Sequence, residues 1–354
     1  MAYQPNKAIH PGHTIARALE REGMTQKNLS ERTGLTEKHL SQIINGEASI
    51  TVETALLFEN ALGGTASFWI NLEKNFQETK ARIEKFSSLR AETALLSRFP
   101  YLELAKRKYV EQTNIREKRV EELWKFFGVN SLSFVANTEA VAFRKRTVAG
   151  VRSEGIAAWL RCGEIESKKV TIEKFSEAAL KDSLKSLRAL TTKTADKFSV
   201  EAQQILGNAG VSLVYIPHFT ETGVSGAVRW IGDTPVIQLS LFGAYADMFW
   251  FNLFHEIGHI LLHGKKERFL EFDERPLSDS QEKEIEADNF ATRELIDHKS
   301  YSDFLCAGDF SKRAILGFAK SIKLDPGIIA GRLSHDRLVG WRDVASLRTR
   351  LKFS

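Results

Sequence analysis

Between Asp247 and Gly264 the chain runs DMFWFNLFHEIGHILLHG, and no other stretch restricts its fold as much. A helix-length run that is apolar on nearly every side belongs at the centre of a folded domain, and Gly264 marks its end. This run nevertheless carries His255, Glu256, His259 and His263. Residues four apart on an α-helix rise by about 6 Å and share nearly one face, so the imidazoles of His255 and His259 can reach one ion. Glu256 lies about 100° round from His255, near enough to a bound water to act as its base without being a ligand. Two readings follow: a buried helix whose histidines bond to backbone carbonyls, or a metal site.

The rest of the composition narrows the metal chemistry. Cys162 and Cys306 are the only cysteines, so there is neither a disulfide framework nor a cysteine-based zinc site, and any metal must be held by His, Asp or Glu. Zinc accepts imidazole nitrogen and carboxylate oxygen in tetrahedral geometry and leaves a fourth position for water. It lowers the pKa of that water, and Glu256 can then take a proton and pass it to a leaving amine, which is hydrolysis of a peptide bond.

A third ligand is needed. EKEIEADNFA, residues 282 to 291, reads as a second, acid-rich helix with Ala287, Phe290 and Ala291 as a small apolar face. Glu286 is the expected ligand, with Glu282, Glu284 and Asp288 on a solvated face. His263, about 80° round the helix from His255, competes with it, and service at the helix end, where a histidine suits the dipole, is the alternative.

The opposite end of the chain has a different character. In MTQKNLSERTGLTEKHLSQIING, Thr25 can cap a helix carrying Leu29, Gly34 falls in a turn, and Thr36 opens a second helix with Leu40, Ile43 and Ile44 inward. Two short helices so joined form a helix-turn-helix. Polar side chains of the second helix can then read base edges in the major groove. The expected apolar positions of this bundle extend through Ile15, Leu19, Leu35, Leu56, Leu57, Leu62, Phe68 and Leu72.

At 354 residues the chain suits two or three domains. Residues 1–77 form the first, 78–200 a helical connecting region, and 201–354 an α+β domain. In the last, VSLVYIP reads as a strand and GVSGAVRWIGDTPVIQLS as a hairpin turning at Gly232-Asp233. Basic and acidic residues number 7 and 8 in the first, 25 and 16 in the second, and 18 and 21 in the third. The excess sits in the middle, outside the helix-turn-helix, so the overall +5 is not by itself a sign of nucleic acid binding and is more simply a solvated helical surface. Hydrophobic residues at 43% and charged residues at 27% are ordinary for a folded soluble protein. No apolar run spans a bilayer, and MAYQPNKAIHPG lacks a signal core, so a cytoplasmic location is expected.

HEIGHILLHG, followed 27 residues after His259 by Glu286 in EIEADNFA, resembles the ImmA/IrrE family of zinc metallopeptidases. GAVRW, PVIQLS and DMFWFNLF upstream and PGIIAGRLSHD downstream extend the likeness over most of residues 200–340. The resemblance implies a zincin-like domain with a small sheet, His255, His259 and Glu286 as Zn2+ ligands, and Glu256 as base. The chain departs from the family in ELIDHK, where Asp297 stands at the usual proline. His335, in GRLSHDR, is either a donor to the oxyanion formed during hydrolysis or an ordinary loop histidine. PVIQLS, if at a sheet edge, could pair with an extended substrate.

IHPGHTIARALEREGMTQKNLS through ALGGTASFWINLEKNF resembles the Xre-type repressors, and the HigA-type antitoxins in particular, over residues 8–77. The resemblance implies DNA contacts from Gln26 to the backbone, from Thr36 at the opening of the second helix, and from Lys38, His39 and Gln42 to the bases. With net charge −1, such a domain gains little from counterion release and is expected to read operator DNA as a homodimer. A helix-turn-helix kept for protein contact is the alternative. Two functions therefore stand open. One is a zinc endopeptidase that cleaves a protein partner such as a repressor or antitoxin, and the other is an antitoxin or autorepressor that binds a toxin without turnover.

Overall fold

A computed structural model of the protein describes residues 7–138, 153–240, 245–265, 269–272 and 281–351. Half of the N-terminal stretch read for a signal core, residues 1–6, thus lies outside the described residues. The chain divides into two compact units, residues 1–94 with 115–121, and residues 95–114 with 122–354.

The first unit is a helical bundle: α1 (Gly12–Arg21), α2 (Gln26–Thr33), α3 (Glu37–Asn45), α4 (Val52–Leu62) and the long α5 (Ala66–Glu92). Its boundaries follow from capping chemistry. Thr25 accepts from the Asn28 amide while Asn28 Oδ1 accepts from the Thr25 amide at 3.1 Å, a reciprocal box at the start of α2. Gly34, at φ 73°, ends α2 in the left-handed region that a Cβ disfavours. Thr36, Thr51 and Thr65 cap the next three helices by accepting from the amides of His39, Thr54 and Phe68. Ile15, Leu29, Leu40, Ile43, Ala55 and Phe58 close the core.

Two expected core positions face outward instead. Leu56 and Phe68 are 51% and 45% exposed. On α4 the inward stripe is Thr54, Ala55, Phe58 and Leu62, and on α5 the neighbouring Trp69 goes in, its indole N–H donating to the Gly63 carbonyl at 3.1 Å. The larger ring buries more apolar surface and keeps its one polar atom paired.

The second unit is α+β. Its sheet has the order β1 (Ser212–Tyr215), β3 (Thr234–Leu239), β2 (Val224–Ile231), β4 (Phe269–Phe272). β1 runs parallel to β3, and β2 is antiparallel to both β3 and β4. Ile231 pairs with Thr234, which leaves Gly232-Asp233 as the two-residue turn, with Gly232 at φ 63°. The strand β4 was not anticipated: FLEF is short and stands between charged clusters.

Residues 78–200 do not form a region of their own. Residues 78–92 complete α5, whereas the helices Glu177–Ala189 and Ala195–Asn208 send Leu180, Leu184, Leu187, Phe198 and Leu206 into the core that also holds Leu213, Ile237 and the apolar run ending in FHEIGHILLH. Some of the positive charge that set this stretch apart in the sequence is turned inward: Arg188, half-buried, donates to the Leu295 and Ile322 carbonyls at 2.8 and 3.1 Å. The helix Ser153–Ser167 is buried almost throughout, and its Trp159 ring N–H donates to the Ile216 carbonyl at 2.7 Å. Among the described residues no helix is long and apolar enough to cross a membrane.

Candidate metal centre

The apolar run forms one helix, Ala246–His263, buried almost without break from Ala246 to Ile260. The acid-rich segment forms a second helix, Gln281–Leu295, packed along it. Gly258 lies against the second helix: a Cβ there would lie 3.1 Å from the Phe290 ring and 3.3 Å from Ala287 Cα. The glycine of HEIGH therefore sets how near the acidic side chains can approach the imidazoles.

At this crossing His255 Nε2 and His259 Nε2 are 2.9 Å apart, and Glu284 Oε2 lies 3.2 Å from the first and 3.5 Å from the second. Both histidines are fully buried and Glu284 nearly so. Three donors on a tetrahedral ion with bonds of about 2.0–2.1 Å stand about 3.3 Å from one another, so the set present here fits zinc in both spacing and chemistry. Burial lowers the pKa of His259 to about 4, which keeps its ring neutral and able to coordinate at neutral pH. Burial acts to raise the Glu284 carboxyl, but hydrogen bonds from His255 and His259 outweigh it and bring the group down to about 2.

The third group beside the imidazoles is Glu284 and not the expected Glu286. Glu284 faces the imidazole pair, and Glu286, 60% exposed, instead accepts from His263, with Oε2 2.9 Å from Nε2. The reason is helical phase. Glu284 and Asp288 share the face of Ala287 and Ala291, which packs against Gly258, whereas Glu286 is about 200° round from both. Asp288, expected on a solvated face, lies 2.9 Å from His255 Nδ1. The Nδ1 of His263 lies 2.9 Å from His259 Nδ1, and its Nε2 is turned to Glu286.

Glu256 is fully enclosed on the same helix. His335 ends the helix Pro326–His335, its side chain 81% exposed and 3.5 Å from Asp336, and it is not among the groups gathered at the imidazole pair. PVIQLS is no edge: β3 is paired on both sides, and the outer strands are β1 and β4.

In the first unit, Gln26 opens α2 and Lys38 stands exposed in the first turn of α3, with His39 and Gln42 half-buried beyond it. The Thr36 hydroxyl accepts from the His39 amide at 3.2 Å, so its oxygen is engaged in capping α3.

Comparison with known proteins divides the chain in the same sense. Residues 15–69 match the helix-turn-helix family, and residues 210–307 match the peptidase family described as the IrrE N-terminal-like domain. The second match contains both histidines, Glu284, Glu286 and Asp288. No curated protein matches the chain. Two solved structures resemble a part of it. An addiction module antidote protein of a HigA family from Coxiella burnetii is 29% identical, with 24% of this chain and 95% of that one covered and a TM-score of 0.23. A protein described as an antidote of a plasmid maintenance system, from Nostoc punctiforme, is 33% identical, with 21% and 82% covered and a TM-score of 0.21.

Proposed function

From a chain that carries a helix-turn-helix domain and an IrrE N-terminal-like peptidase domain, we propose a DNA-binding regulator whose second unit is a zinc-dependent endopeptidase. The observation that carries this reading is the trio of His255 Nε2, His259 Nε2 and Glu284 Oε2 at 2.9–3.5 Å. These residues would hold the ion. When bound, zinc supplies an acidified water and a polarised scissile carbonyl. Glu256, one residue beyond His255, takes the proton at its carboxylate and returns it to the leaving amine. Its enclosure keeps bulk water from the proton it carries.

The substrate is a protein partner such as a repressor or antitoxin, and the first unit, acting as a homodimer, brings the peptidase to operator DNA. A homodimer doubles the phosphate contacts that a unit of near-zero net charge makes alone.

The test is cleavage of candidate partners by the purified protein with and without chelator, beside Glu256→Gln. Cleavage should need metal and vanish in Glu256→Gln, while zinc content and DNA binding persist. A zinc-loaded protein that binds partner and DNA yet cuts nothing would establish the antitoxin or autorepressor function instead.

A further inference from the structure

The acid-rich helix directs three carboxylates at the histidines, and only Glu284 reaches the candidate ligand trio. The other two are arranged behind it. Asp288 Oδ1 lies 2.9 Å from His255 Nδ1, the ring nitrogen remote from the trio. This is the direct form of a carboxylate that orients a metal-binding imidazole. His259 presents its Nδ1 to another ring. There the neighbour is His263 Nδ1 at 2.9 Å, and His263 Nε2 lies 2.9 Å from Glu286 Oε2.

With each ring carrying one proton, the order of groups assigns a direction to these hydrogen bonds. An ionised carboxylate only accepts, so His263 carries its proton on Nε2 and donates to Glu286. A neutral His263 then has a lone pair on Nδ1, which accepts from the Nδ1–H of His259. In the metal-bound state that leaves His259 Nε2 with the lone pair the ion would take. His263 is 3% exposed at its side chain, so this middle link is shielded from water, whereas Glu286 is 60% exposed at the end of the chain of bonds.

We propose that His263 and Glu286 are positioning residues, a two-step relay that holds His259 in the tautomer and ring orientation needed to bind the metal. The inference rests on the metal centre proposed above and deepens it. Glu286 acts through His263 and touches neither ion nor substrate.

The experiment measures zinc affinity by chelator competition on the full-length protein, as a thermodynamic cycle of His263→Ala, Glu286→Ala and the double variant. Loss of an outer partner costs about 10–100-fold in metal affinity. Each single variant should fall in that range, and the double variant should be no weaker than His263→Ala, because Glu286 has no route to His259 without the second ring. His263→Asn, which places an amide oxygen where Nδ1 stood, should restore much of the affinity and make it indifferent to Glu286→Ala. Glu286→Ala removes an exposed group, so the metal-free unfolding midpoint should stay in place and separate the relay from a general loss of fold.

An unchanged affinity in Glu286→Ala, or losses that add in the double variant, would overturn the relay while leaving the metal centre standing. Loss of metal in Glu286→Ala with retention in Glu284→Ala would overturn it too, by making Glu286 the ligand. Wild-type protein that takes up no zinc would overturn the metal centre and the relay together.

Discussion

At the scale of single residues, the centre depends on keeping two imidazoles neutral in a buried site. Burial holds His259 at about 4, against 6.5 for an ordinary imidazole. Between those values the unfolded chain binds the extra proton and the folded chain does not, so stability is complete above the ordinary value and is lost as pH falls toward 4. Glu284, held at about 2 against 4.5, continues the loss in the same direction at lower pH. Metal-free protein should therefore show a falling unfolding temperature from pH 6.5 downward, before most carboxylates titrate. A flat profile from pH 6.5 to 5 would contradict the buried neutral state of His259. The residue types at this site were legible in the sequence, since HExxH has a defined helical geometry and a paired carboxylate was required. Which carboxylate was not legible, because EKEIEAD offers acids on alternate residues and sequence does not say which helical face meets Gly258.

Between helices, the decisive contact is backbone to backbone. A Cβ at Gly258 meets Phe290 and Ala287 at 3.1 and 3.3 Å, so Gly258→Ala requires a shift of a few tenths of an ångström and Gly258→Val considerably more. Overpacking of this kind costs about 1–3 kcal/mol. Gly258→Val should also move Glu284 away from the imidazoles and weaken zinc binding more than it lowers metal-free stability. Equal effects on both would show that the close approach serves packing alone. In the first unit, Thr36→Ala removes the side-chain acceptor at the start of α3 and should cost about 1 kcal/mol in a denaturant titration. DNA affinity should fall no further than that loss explains, because the hydroxyl already serves the His39 amide. The helix-turn-helix could be read from sequence almost residue by residue, since caps and left-handed glycines are local signals. The faces of α4 and α5 could not, since Leu56 and Leu57, or Phe68 and Trp69, are equally apolar and only the surrounding bundle chooses between them.

For the whole molecule, the division into two units predicts separable responses. The proposed zinc centre lies in the second unit, so free zinc at about 100 times its Kd should stabilise that unit by about 2.7 kcal/mol and leave the first unit's transition where it was. Chelation should reverse this without releasing DNA, as followed by calorimetry beside fluorescence anisotropy. A chelator that shifts both transitions equally would mean that the units do not respond separately.

The sequence by itself determined the local features: a buried helix with two imidazoles one turn apart, the hairpin at Gly232-Asp233, and the capped helix pair at the N-terminal end. Each depends on residues within a few positions of one another, where backbone geometry and capping chemistry suffice. The tertiary structure alone decided that Glu284 faces the ligand pair, that Asp288 and Glu286 stand behind it, that β3 is interior, and that helices from the basic middle stretch share the second unit's core. Those outcomes depend on how distant elements rotate and pack, and at about 100° per residue a rotation of about 200° would exchange Glu284 for Glu286.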